Sequence, residues 1–241
     1  MTISKRIRSF IGVMLFLLGI SLGLALSSGV VWGEIEARVY DVNPANLSLK
    51  INCPLMLAPG EAGMVRALIA NTSNENVTPA ISVEISHLGG ARQLGETLDL
   101  APGETKPVQW TVDSADIIFN RLILVSIYQS QYRDLPAHIG YCGILQFSLF
   151  SLSGMQTFVL LFTLSLIAML LGAILWFITH NPLDETHSNI AQAGSLIAVT
   201  CIAALFSAVP RWWGIALVLD GFSFLAFGLI VVEFTIFPSK T

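Results

Sequence analysis

Charge is what this chain has least of. Asp, Glu, Lys and Arg make up 12% of its 241 residues, about half the share usual in a soluble domain. Cysteine (3) and histidine (4) are also scarce, and none of them falls at a standard metal-ligand spacing. His180, Asp184, Glu185 and His187 crowd one short stretch, but a polar loop between apolar runs is expected to hold such residues. Ser151-Leu152-Ser153-Gly154 offers a hydroxyl with no paired base and reads as a neck. With no phosphate loop, nucleophile–base pair or metal cluster, no enzyme and no cofactor are expected. The net charge of −4 gives no attraction to nucleic-acid phosphates.

What is abundant is apolar sequence, in four runs: Ser9–Trp32, Phe158–Thr179, Ile190–Val209 and Ile215–Phe237. About 20 apolar residues rising 1.5 Å each cross a hydrocarbon core of about 30 Å. Pro182, Pro210 and Pro238 come just after the last three runs, and proline stops a helix. Trp176, Trp212 and Trp213 lie near run ends, where aromatic belts sit. Lys5, Arg6 and Arg8 precede the first run and hold the N-terminus in the cytoplasm by the positive-inside rule. The first run also fits a signal peptide, with Ala25-Leu26-Ser27 as a small-residue cleavage site. Its apolar character continues through Val30, Val31 and Trp32, longer than a signal core. On either reading, the polar block after this run is exported. Gly19-Ile20-Ser21-Leu22-Gly23 is a small-xxx-small pattern that lets helices approach closely.

The polar block, residues 33–150, changes period. Glu36–Val42, Leu47–Cys53, Met64–Ala70, Ala80–Ser86 and Pro107–Val112 alternate apolar with polar residues, as half-buried strands do. Arg121–Tyr128 is more continuously apolar, suiting a central strand, and Tyr141–Phe147 closes the set. Pro59-Gly60, Asn71–Asn74, Gly89-Gly90 and Pro102-Gly103 supply turns. Strands at this spacing predict a β-sandwich. Between Glu34 and Gly154 the block holds seven Lys/Arg against twelve Asp/Glu, so it is acidic. Asn46, Asn71 and Asn76 open glycosylation sequons.

Leu57-Ala58-Pro59-Gly60-Glu61 recurs as Leu100-Ala101-Pro102-Gly103-Glu104. Proline sets φ at the first corner of each turn and glycine accepts positive φ at the second. With the strand ending Ala70-Asn71-Thr72-Ser73 and the later strand bearing Trp110, residues 50–130 resemble immunoglobulin-like domains of the CARDB (cell-adhesion-related) type. The resemblance implies a sandwich fold at the cell surface and no catalytic residue.

Cys53 and Cys142 lie near the first and last strands of the exported block. An oxidising compartment permits a disulfide between them. Cys201 sits in the third run as a small apolar residue. Asp220 and Glu233 are the acids of the fourth run. Intramembrane acids often mark ion or proton routes, yet each lies close to a run end, and about 20 Å of helix separates them. Arg211 could pair with Asp220 across the short turn.

The expected architecture is an integral membrane protein of four helical spans plus an all-β immunoglobulin-like sandwich ectodomain. Residues 1–8 form a cytoplasmic N-terminus, 9–32 the first span, 33–150 the sandwich, 151–157 a neck, and 158–179, 190–209 and 215–237 the remaining spans. Both termini are expected in the cytoplasm of a plasma-membrane protein. The expected role is non-enzymatic presentation of the β domain to other membrane or surface proteins, as an accessory subunit of an envelope complex, with membrane lipids around the helices. Two alternatives stay open: a small transporter or channel subunit using Asp220 and Glu233, and an extracytoplasmic sensor with a separate signalling partner.

Overall fold

The computed structural model describes the backbone of residues 2–40, 47–180 and 185–236; within these, the side chains of 2–4, 40, 185–187, 189, 227 and 229–236 are left undescribed. The chain divides into two compact units, with boundaries at Val31/Trp32 and Phe158/Val159.

The β unit holds nine strands among the described residues: β1 (Leu47–Ser48), β2 (Ile51–Asn52), β3 (Met56–Leu57), β4 (Gly63–Ala70), β5 (Ala80–His87), β6 (Gly90–Thr97), β7 (Thr105–Val112), β8 (Leu122–Gln129) and β9 (His138–Gln146). One sheet runs β1-β9-β8-β5-β6, with β3 also on β9; the other runs β2-β4-β7. Alternation does the sorting. In β4, Val65, Ala67 and Ile69 are fully buried while the residues between them face water. They meet Ile81, Val83, Ile85, Ile123, Val125 and Ile127 from the larger sheet in one core.

Two parts of the expected fold class need correction. The β unit is not a purely antiparallel, all-β sandwich. β1 and β3 pair with β9 in parallel, so the larger sheet is mixed. The segment expected as one strand, Leu47–Cys53, is broken instead. It runs along β9, leaves it to pair β2 with β4, and returns as β3, with Cys53 bonded to Cys142 of β9 on the way. The unit also contains helix. Glu36–Tyr40, expected as a strand, belongs to α1 (Thr2–Tyr40). A seven-residue alternation is ambiguous there; the buried set Val30, Val31, Gly33, Glu34 and Ala37 follows the helical period. Ala37 packs with Leu122 and Leu124, and Gly33 lies directly on Gly143. This second cover is why β8 is apolar on both faces.

The four-span expectation is the second correction. The other helices are α2 (Gly154–Thr179), α3 (Glu185–Ala208) and α4 (Trp213–Ile236). Among the described residues three helical stretches are long and apolar enough to cross a membrane: Lys5–Val39, Gly154–Thr179 and Ile190–Ala208. In α4 the apolar stretch within the described residues is Trp213–Ala226, which rises only about 20 Å.

Inside the helical unit the small residues work as expected of a small-xxx-small pattern. A Cβ at Gly19 would lie 2.7 Å from the Met169 backbone, and one at Gly23 would lie 2.9 Å from Cys201 Sγ and Ser165 Oγ. Ser165 Oγ donates to the Gly19 carbonyl at 2.8 Å. Gly19 thus seats α1 on α2, and Gly23 faces both α2 and α3.

Candidate functional site

The residue of the helical unit with most unspent chemistry is Asp220. It lies on the buried face of α4 with Ala216 and Ser223, each about one turn away, and is 3% exposed. Its Oδ2 accepts from Ser27 Oγ at 2.9 Å and from Ser28 Oγ at 3.5 Å. Its Oδ1 is buried with no hydrogen-bond partner among the described residues. Ser223 Oγ donates to Thr200 Oγ1 at 2.9 Å, and Cys201 is fully buried nearby on α3. The site is therefore a small polar nest built by α1, α3 and α4, with one carboxylate oxygen left over. The serines that complete it lie in the first apolar run, some 190 residues away, and no local signal in the sequence links them to Asp220. Asp220's described partners are these serines rather than Arg211. The side chain of Glu233 lies outside the described residues. So do the side chains of Asp184, Glu185 and His187. His180 Nδ1 sits 3.0 Å from the Trp176 carbonyl, and no metal-holding cluster occurs among the described residues.

In the β unit the two echoed turns have the same construction. Gly60 and Gly103 have φ of 81° and 71°. Glu61 N–H donates to the Ala58 carbonyl and Glu104 N–H to the Ala101 carbonyl, both at 3.0 Å. Each glutamate then reaches back: Glu61 Oε2 accepts from Ala58 N at 2.7 Å and Glu104 Oε2 from Ala101 N at 2.8 Å. That backbone hydrogen bond, with Lys106 adding to it, holds the Glu104 carboxyl below the usual glutamate range. The copies differ in what else they bind. Glu61 Oε2 also accepts from Gly154 N at 2.7 Å, tying the turn to the first residue of α2. Ser153 and Gln156 complete a capping box at the same helix start, so the expected neck is largely a helix cap.

Asn71 is 2% exposed and serves as an internal clamp. Its Nδ2 donates to the carbonyls of Glu75, Leu100 and Ala101, while Oδ1 accepts from Ser73. The asparagine of the sequon it opens is therefore buried in the folded domain. Asn76 is exposed, and Asn46 lies outside the described residues. One cluster escaped the sequence reading. Asp116, 2% exposed, pairs with Arg92 at 2.9 Å and lies 3.7 Å from His87 Nδ1. Its members are scattered along the chain without a motif, and the cluster ties the β5–β6 hairpin to the turn after β7.

Cys53 and Cys142 form a disulfide across 89 positions, a closure that stabilises by about 4 kcal/mol in the chain-entropy account. The candidate surface for another protein is the free end of the larger sheet. There β6, eight residues long, has β5 as its strand partner. A shallow depression of about 510 Å³ adjoins it, lined by Ser82, Gly95, Glu96, Tyr128 and Ser130 among others.

Together these features define a class: a protein with membrane-length apolar helices and a disulfide-bonded, two-sheet β domain. The β domain resembles CARDB domains. Solved structures similar to this chain include the CARDB domain of a Pyrococcus furiosus protein crystallised with di-metal ions, at 13% identity, covering 45% of this chain and 98% of that one, with a TM-score of 0.34. A Paenibacillus sp. cycloisomaltooligosaccharide glucanotransferase aligns at 23% identity over 44% of this chain and 15% of its own, TM-score 0.35. A Listeria innocua β-glucosidase aligns at 16% identity over 46% and 17%, TM-score 0.29. No residue role, metal or activity passes from them to this chain. No protein-family model matches the chain, and no curated protein matches it.

Proposed function

We propose that this is a non-enzymatic, multi-pass membrane protein that presents its β unit outside the cytoplasm to another membrane or surface protein, as an accessory subunit of an envelope complex. The observation that carries the reading is the disulfide-bonded β unit, set in sequence between stretches long and apolar enough to cross a membrane. A disulfide belongs to an oxidising compartment, and Lys5, Arg6 and Arg8 keep the preceding segment inside. The partner docks along β6. A terminal strand offers unpaired backbone groups for strand addition, and the polar Arg92, Gln93 and Glu96 on it discourage indiscriminate pairing. Purification from the native membrane in mild detergent, with mass spectrometry of the proteins that accompany the chain, tests this. A stoichiometric membrane-protein partner is expected; a lone chain or homo-oligomer contradicts it.

A second reading rests on one observation, the buried Oδ1 of Asp220, which has no hydrogen-bond partner among the described residues. A carboxylate oxygen left open among helices is suited to take a proton or a cation, as a transporter or channel subunit would need. Under this reading Asp220→Asn abolishes flux into reconstituted vesicles while the thermal unfolding midpoint holds. Unchanged flux removes it.

A further inference from the structure

The exposed apolar residues of the β unit's loops are unevenly placed. The three most exposed are Phe150 (91%), Leu88 (79%) and Phe119 (68%). Strand register brings all three to one end of the larger sheet. Ile85 pairs with Val125, which puts the Leu88 turn level with Leu122. Phe119 lies in the loop just before Leu122, which pairs with Leu145 near the end of β9. Gln146 N–H donates to the Arg121 carbonyl, and the chain then runs through Phe150 into α2. Among the described residues, the loops at the other end, around Asn74, Pro102 and Asp134, add no large exposed apolar side chain.

Two of the three residues also carry backbone strain. Phe119 and Phe150 have φ of 52° and 57°, a left-handed conformation unfavourable for a side chain with a Cβ. Such strain persists where the surroundings enforce it, and it often marks function. One cation at this end is placed to meet a phosphate. Arg121 is exposed beside Phe119. Of the acids, Asp116 is paired with Arg92, Glu61 is occupied by two backbone N–H groups, and Asp113 accepts from Ala115 N–H. Along the chain, Phe150 stands four residues before Gly154, where a membrane-length helix begins.

We propose that Leu88, Phe119 and Phe150 form a shallow docking surface for lipid, inserted at the headgroup level of the leaflet that α2 enters, with Arg121 at the phosphates. Aromatic and leucine side chains at that depth gain apolar burial, and an arginine stem can accompany them while its head stays wet. The inference rests on the proposed membrane placement of α2 and the β unit.

The test is spin-label accessibility in the full chain, in a Cys201→Ala background, reconstituted into phosphatidylcholine–phosphatidylglycerol vesicles. Nitroxides go at Leu88→Cys, Phe119→Cys and Phe150→Cys. Asn74→Cys serves as the aqueous control and Leu170→Cys, 62% exposed on α2, as the lipid control. The expected result is a several-fold rise in oxygen over nickel-chelate accessibility at the three loop sites relative to Asn74. If Leu170 reads as lipid while the loop sites match Asn74, lipid docking is wrong and the membrane reading stands. Loop sites shielded from both reagents would mean that protein covers them, which also overturns the inference. If Leu170 itself reads as aqueous, the membrane reading fails and the docking surface with it.

Discussion

Asn71 shows how much one side chain can settle. The sequence marks it as a turn residue and a sequon, and both readings miss that its amide donates to three carbonyls in a buried pocket. Asn71→Asp keeps the shape and replaces that donor with an acceptor oxygen. We expect a loss of about 2 kcal/mol or more, measured by chemical denaturation of the whole protein in detergent. Glu104 gives a pH-dependent counterpart. Its carboxyl is held below the usual range mainly by the Ala101 N–H. A group with a depressed folded pKa stabilises above its unfolded pKa, and that contribution is lost as pH falls through the folded value. The stability gap between wild type and Glu104→Gln should therefore be present at neutral pH and close on acidification. A gap independent of pH would contradict the assignment. Asp220 marks the limit of reading at this scale. Its closeness to the run end argues for interfacial water, whereas Ser27 and Ser28 enclose it from a distant helix, and only tertiary structure joins them.

Elements were legible where one period dominated. β4, β5, β7 and β8 come from alternation and punctuation, and the central place of β8 from its apolar run. β6 was invisible because it ends the sheet: Gly90–Thr97 has no fully buried residue, and Leu94 is its one apolar side chain packed against the core. Residues 36–40 were misread because their alternation is compatible with both periods. The deciding feature, the fit of Gly33 on Gly143, is a property of two elements together. Gly143→Ala places a Cβ into the Gly33 backbone, where no flexible side chain can yield. The expected cost is about 1–3 kcal/mol, seen as a lower unfolding midpoint. Gly95→Ala, whose Cβ would meet only the Ile81 carbonyl at an ordinary contact distance of 3.9 Å, should have much the smaller effect; equal effects would argue against tight seating of α1 on β9.

For the whole molecule, the sequence announces apolar helices around a β domain, because both patterns are long and strongly periodic. It overstates the regularity of the β domain, where the mixed sheet depends on where a short strand segment turns. Among the described residues three helical stretches, not four, are long and apolar enough to cross a membrane. Function is less legible, since a recognition surface of polar strand edges and loop tips has no motif. The central claim is that the β unit and the basic N-terminal cluster lie on opposite sides of a membrane. The direct measurement is labelling of intact cells with a membrane-impermeant maleimide, using Asn74→Cys and Lys5→Cys in the Cys201→Ala background. Asn74→Cys should react in intact cells and Lys5→Cys only after permeabilisation. Reaction of both before permeabilisation, or of Lys5→Cys alone, would contradict the claim.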